Sequence, residues 1–383
     1  MGNFKAFLFG IIVWLFRLWF SFEDADSFVS DFGIGKVSFL ACIDSEVDVR
    51  DDKVKYILSN VLLNADRYPV YNYGDLIEVS GFAEVPGMIE DFDYRKYLLT
   101  KNVYVIINNP VIKKVDGSCG SFFMKKIYDI KNFFSDRLYE NFTEPYSSFV
   151  AGLILGLRKG IPDEVMADFD ELGLTHIVAI SGYNVTLVIV AVFSVLSFLK
   201  RKVRILFAIV FVVLFTLLVG AGSSVVRASC MGIVGLVAVY FGRSKSAFRI
   251  LIITAFLMSF WNPFLPIYDS GFQLSFLSTA GLIIASPFMT RVFKRFPSIF
   301  FIKENLQTTF AAQAFTLPLI IKLFGRFSIL CPIANIAVLP FVPVIMILGF
   351  LSFFWKGFAF LCYAVLKVFF FTVGILADFS RIL

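Results

Sequence analysis

The chain has 383 residues, 58% of them hydrophobic and 17% aromatic, with a mean hydropathy of +0.81 and a formal net charge of +6. Such apolarity excludes an ordinary water-soluble globular protein and implies an integral membrane protein. The charge is unevenly spread: residues 23–120 hold 17 acidic and 10 basic side chains, net −7, leaving 12 acidic and 25 basic elsewhere, net +13. Basic loops also orient membrane helices, so the positive total does not by itself imply nucleic acid.

Within residues 1–22, the stretch from Phe4 to Phe22 carries no charge apart from Lys5 and Arg17, and no small-residue cleavage signal clearly follows it. These residues read as a retained transmembrane anchor. From residue 23 to residue 120 the pattern changes to short β-branched runs, GKVSFLACI, VKYILSNVLL, DLIEVSGF and NVYVIINN, with a turn at Asn72, Gly74 and Asp75. This spacing predicts a small β domain. Cys42 and Cys119 flank it, and a disulfide and two free thiols are both compatible with their positions. Residues 121–142 carry Phe123, Ile127, Ile130, Phe134 and Leu138 at helical spacing among lysines and Arg137. They predict an amphipathic helix, lying on the membrane surface or packed against the β domain.

The stretch GLTHIVAISGYNVTLVIVAVFSVLSFLK, from Gly173 to Lys200, joins a polar head to an apolar tail. Thr175, His176, Ser181 and Asn184 need partners in protein or water, because a polar group in hydrocarbon costs several kcal/mol otherwise. Intramembrane polar groups are candidate functional residues for that reason. Beyond the head, basic loops at residues 200–204, 242–249 and 290–296 and at Lys356 alternate with nearly uncharged connections at GAGSS, WNPFLPIY and GRFS. Basic loops face the cytoplasm. Counting apolar runs between them predicts about nine transmembrane helices, with the N-terminus inside and the β domain and C-terminus outside.

The head resembles the ComEC family of natural transformation, whose members read G-L-x-H-hydrophobic-hydrophobic-A-I-S-G-L-H-V. Gly173, Leu174, His176, Ala179, Ile180, Ser181, Gly182 and Val185 are in register, while Asn184 stands where the family has a second histidine. Further blocks agree in order: Gly74, Asp75 and Gly81, then Phe92, Asp93, Tyr94, Tyr97 and Leu98; Arg158 in LGLRKGIP; Arg227, Ala228, Gly242 and Arg243; GFQLSFLSTAGL at 271–282; and Pro318, Asn335 and Pro340. The resemblance implies a multispan channel domain over residues 143–383 and an external β-barrel of the oligonucleotide-binding (OB-like) type over 23–120. It implies a conduit passing single-stranded DNA across the cytoplasmic membrane during DNA uptake, with no cofactor. A DNA receptor, a separate nuclease and a cytoplasmic motor would be its partners, besides membrane lipids, and a homo-oligomer stays open.

No H-x-H-x-D-H run of the family's metallo-β-lactamase-like domain occurs, and no G-x-x-x-x-G-K-[ST] phosphate loop. With a single histidine, neither a catalytic constellation nor a metal site is expected. The sequence therefore reads as a conduit and not an enzyme, with a secondary transporter of a small anion or lipid-linked substrate, or a membrane scaffold, as alternatives. The candidate path residues are Arg158, His176, Ser181, Asn184, Arg227, Gln273, Ser275 and Asn335. For Ser181, Asn184, Gln273 and Ser275, helix packing through a hydrogen bond competes with lining a path; Asn335 near Pro340 reads most simply as satisfying backbone freed by the proline, and Arg158 as an interface residue or a lipid headgroup contact. His176 reads as an imidazole bonded to a neighbouring carbonyl or as a substrate contact. Arg227, at the edge of a small-residue stripe formed by Gly220, Ser224, Ala228 and Gly232, reads as turned into the packed interior or snorkelling at the outer interface.

Overall fold

The computed structural model describes residues 2–382 except 51, 90–91, 158–159, 179–181, 243–245, 296–301, 326–327 and 329. Two compact units result, one of residues 1–130 with 255–270 and one of residues 131–254 with 271–383.

In the first unit, α1 (Gly2–Phe32) continues ten residues past the apolar stretch that ends at Phe22. Its last turns place Phe28, Val29 and Phe32 against the β core. The sheet is built from β1 (Gly35–Cys42), β2 (Asp48–Val49), β3 (Lys53–Leu58), β4 (Val61–Asp66), β5 (Asp75–Glu84), β8 (Val105–Asn108) and β9 (Val111–Ser118). A small hairpin of β6 (Met88–Ile89) and β7 (Phe92–Asp93) leads into helix α2 (Tyr94–Leu99). The run VKYILSNVLL is not one strand: Leu58 pairs with Val61 across a two-residue turn, and Ser59 takes φ +53° there.

Alternation does the folding. Along β3, Val54, Tyr56 and Leu58 are buried while Lys53, Lys55 and Ile57 face the other way, the period-two pattern of a strand with one core face. Tyr56, Leu63, Ile77, Val79 and Ile107 are essentially inaccessible. On the opposite face Leu98 of α2 packs with Leu62, Val103 and Ile106. Strand β5 pairs with β1 along one edge and with β9 and then β8 along the other. Gly81 sits where it passes from β9 to β8, and a Cβ there would lie 2.5 Å from the Ile107 side chain. Glycine is required by that close approach. Strand order is β1-β5-β8-β4-β3-β2, with β4 and β8 parallel. The path has two ends, so among the described residues the sheet is open and the expected barrel closure is not present.

Helix α3 (Phe122–Asn141) buries Ile127, Lys131, Ser135 and Leu138 along one face and exposes Phe122, Phe123, Ile130 and Phe133 along another. The rest of the chain is helical: α4 (Tyr146–Leu155), α5 (Asp163–Glu171), α6 (Thr175–Val178), α7 (Gly182–Val195), α8 (Arg201–Leu218), α9 (Ser223–Tyr240), α10 (Ala247–Trp261), α11 (Leu265–Tyr268), α12 (Ser270–Val292), α13 (Ile302–Phe324), α14 (Cys331–Val338), α15 (Phe341–Leu351) and α16 (Lys356–Ile382). Among the described residues four segments are long and apolar enough to cross a membrane: α9, α12, α14 with α15, and α16. The protein is a membrane protein with a β-sheet domain near its N-terminus. The expected nine spans exceed what length and apolarity establish, because α7 and α10 are only 14 and 15 residues long and α8 opens on Arg201, Lys202 and Arg204.

The second unit has an aromatic centre. Phe149 of α4, Phe169 of α5 and Phe369 of α16 are wholly buried, and the Phe149 ring lies 5.8 Å from that of Phe169 and 4.8 Å from that of Phe369. A second set of contacts joins α7, α8 and α9 through Val185, Val212, Val219 and Val225. Gly281 of α12 faces the Ala311 carbonyl of α13, and a side chain there would collide with it. The stripe of Ala228 and Gly232 faces α7, approaching Gly182 and Ile189, as small residues at helix interfaces do.

Candidate functional site

Arg158 and Ser181 lie outside the described residues. The other candidates fall into two polar clusters and one tether, all in the helical unit.

Asn184 is the tether. It is 2% exposed on α7, and its Nδ2 donates to the Leu153 carbonyl of α4 at 3.1 Å. Leu153 lies in the last turn of α4, where carbonyls have no partner inside the helix. The asparagine thus satisfies an orphan acceptor and fastens α7 to α4.

The first cluster surrounds the start of α14. The imidazole of His176 is exposed, with Nδ1 3.0 Å from the Gly173 carbonyl one turn back. That same carbonyl accepts from the Cys331 thiol at 3.7 Å. Cys331 Sγ in turn accepts from Gln313 Nε2 of α13 at 3.4 Å and from Asn335 Nδ2 at 3.5 Å. Asn335 is 6% exposed and its Oδ1 has no partner among the described residues. Its amide does not serve the backbone near Pro340, the simplest expectation for an asparagine beside a proline; it turns one helical turn back to the thiol. Cys331 and Gln313 escaped the sequence reading. A lone cysteine and a glutamine in an apolar run carry no local sign that they meet.

The second cluster surrounds Arg227, only 5% exposed near the start of α9. Its guanidinium donates to the Gly271 carbonyl of α12 at 3.4 Å and to Ser224 Oγ at 3.2 Å, and stands 5.9 Å from the centre of the Phe276 ring. The side chain is buried among its neighbours. Gln273 and Ser275 follow Gly271 on α12, both half-buried, and the Ser275 carbonyl accepts from Thr279. A hydrogen bond between the Thr216 and Ser229 hydroxyls at 2.6 Å ties α8 to α9. Low dielectric strengthens such contacts, and a planar guanidinium keeps several donors in a fixed fork.

Cys42 and Cys119 are joined in a disulfide with Cα atoms 6.0 Å apart, linking the end of β1 to the residue after β9. Cys230, Cys331 and Cys362 are free thiols. Among the described residues no group of three or more metal-ligating side chains comes together.

The model of the family described as competence protein matches residues 153–382, from α4 to the end of α16. The chain belongs to the competence protein family. Both polar clusters and the Asn184 tether lie within that competence region. The chain is also 25% identical over 359 residues to ComE operon protein 3 of Bacillus subtilis (strain 168), an alignment covering 88% of this chain and 44% of that protein. It thus spans less than half the length of this curated relative. No solved structure matches it.

Proposed function

We propose that this competence-family protein forms the path by which single-stranded DNA crosses the cytoplasmic membrane in natural transformation. The observation that carries the reading is the competence match over residues 153–382, which encloses a buried, cationic and hydrogen-bonding cluster around Arg227 in a largely apolar bundle. Phosphodiesters are anionic and present paired oxygens, which a guanidinium fork recognises. In this reading the Arg227 cluster, with Gln273 and Ser275, lines the path. His176 and Asn335 act at its mouth, and Asn184 holds the mouth in shape, while Arg158 and Ser181 are carried as path candidates on the sequence alone. Nine spans are proposed by adding α1, α7, α8, α10 and α13 to the four span-length segments. The β sheet then lies outside, as an OB-like cap, and the N-terminus inside. The chain conducts and does no chemistry of its own. A receptor delivers DNA to it, and separate nuclease and motor proteins act on either side.

The test is Arg227→Ala and Arg227→Lys in a competent host, with protein abundance measured alongside. Uptake of labelled DNA is expected to be lost in the alanine variant and partly restored by lysine, which keeps the charge without the fork. Normal transformation by the alanine variant at normal abundance would overturn the assignment of Arg227. Unchanged transformation after deletion of the gene would overturn the DNA reading itself.

A further inference from the structure

One polar side chain outside the competence clusters is fully used, and it sits at the end of a membrane-type helix. Asn262 directly follows α10 and is 5% exposed. Its Nδ2 donates to the Thr100 carbonyl at 2.9 Å and to Asn102 Oδ1 at 3.2 Å, while its Oδ1 accepts from the Phe264 N–H at 3.0 Å. Thr100 and Asn102 form the turn that closes α2. The tether therefore sets α2 at the level where α10 ends.

That level can be read from α10 itself. From Ile250 to Trp261 it carries no charge, and Ile252, Ile253, Phe256, Leu257 and Phe260 are 42 to 49% exposed. A helix showing apolar side chains to so much of its surroundings belongs in lipid. Its last residue, Trp261, is 83% exposed, and tryptophan concentrates at membrane–water boundaries. In and next to α2 and α11 stand two amphipathic pairs: Tyr97 and Lys101 with the ammonium 5.1 Å from the ring centre, and Lys96 and Tyr268 at 5.9 Å. Lys96 already pairs with Asp93 at 2.8 Å, so the patch is distinguished by its aromatic character more than by its charge. Tyrosine and lysine together suit a layer that is apolar below and wet above.

We propose that α2 and the α10–α11 junction form a collar seated in the phospholipid headgroup layer, with Tyr97, Lys101, Tyr268 and Trp261 against the phosphate and glycerol groups. The collar holds the β domain at a set height above the bilayer. It rests on α10 lying in the membrane and is independent of what the protein carries.

The experiment uses the full chain in phosphatidylcholine vesicles, with p-benzoylphenylalanine replacing Tyr97, Phe256 or Asp48 in turn. After irradiation and digestion, peptides containing position 97 and position 256 are expected to gain the mass of a phospholipid, and those containing position 48, on β2, are not. In an Asn262→Leu background the adduct at 97 should fall while that at 256 stays. Lipid at 256 with none at 97, or adducts at 97 to protein only, overturns the collar. Absence of lipid at 256 overturns the placement of α10 and the collar with it. An undiminished adduct at 97 in the Asn262→Leu protein overturns the role of the tether.

Discussion

The β domain and the helical bundle find partners for most of their polar groups by opposite means. In the β domain the backbone satisfies itself through the ladder, and charged side chains are left to pair at the rim, as Lys114 does with Asp75 and Arg95 with Asp26. In the bundle the polar side chains are drawn inward onto carbonyls: Asn184 onto Leu153 and Arg227 onto Gly271. The difference follows from the solvent. Rim pairs in water contribute little because water competes for both partners, whereas in a membrane an unmet carbonyl has no water to turn to. The covalent chemistry differs too, with the one disulfide in the β domain and the three free thiols in the bundle.

The largest expected effect breaks that comparison at its covalent point. Replacing Cys42 and Cys119 together by alanine opens a loop of 77 residues and should cost the β domain about 4 kcal/mol on the loop-entropy estimate. Limited proteolysis should then cut between residues 43 and 118 while the bundle stays protected; equal loss in both would mean that they unfold as one. Next in size is Phe149→Ala, which removes the ring at the centre of the aromatic cluster and should cost about 3 kcal/mol. Thermal unfolding in detergent should show the loss in the bundle, with the sheet signal unchanged. Asn184→Leu keeps the volume but strands the Leu153 carbonyl, and about 1 kcal/mol is expected; an unaltered midpoint would show that the tether contributes nothing.

The smallest effect sharpens the contrast at the rim. Burial pushes the Asp75 carboxyl up, but the hydrogen bond from Lys114 and the Asn72 N–H outweigh it and hold the carboxyl below the usual range. A depressed acid contributes stability above its unfolded value, about pH 4, and loses it as pH falls through the folded value. The β domain should therefore weaken below about pH 4, by less than about 1 kcal/mol from this group given its partial exposure. Asp75→Asn should flatten that part of the profile; a variant with the same acid slope would assign the slope to other carboxylates.

Reading the chain by pattern found the strands around Val79 and Ile107, since periodicity is a property of neighbouring residues. It missed β9, where Lys113, Lys114 and Asp116 dilute the alternation, and it read the β3–β4 hairpin as one run by passing over Ser59 and Asn60, two turn-favouring residues set between apolar ones. Charge, hydropathy and the order of the family's motifs were enough to determine a membrane protein of the competence family with an acidic β domain, because each is a sum or a spacing along the chain. The polar sites were legible only as residues out of place in apolar runs. That Asn184 meets a carbonyl 31 positions away, that Cys331 gathers Gly173, Gln313 and Asn335, and that Cys42 closes on Cys119 were decided by the tertiary structure alone. A hydrogen bond or disulfide depends on distances of a few ångströms between segments that only packing brings together, and no local pattern encodes such a distance.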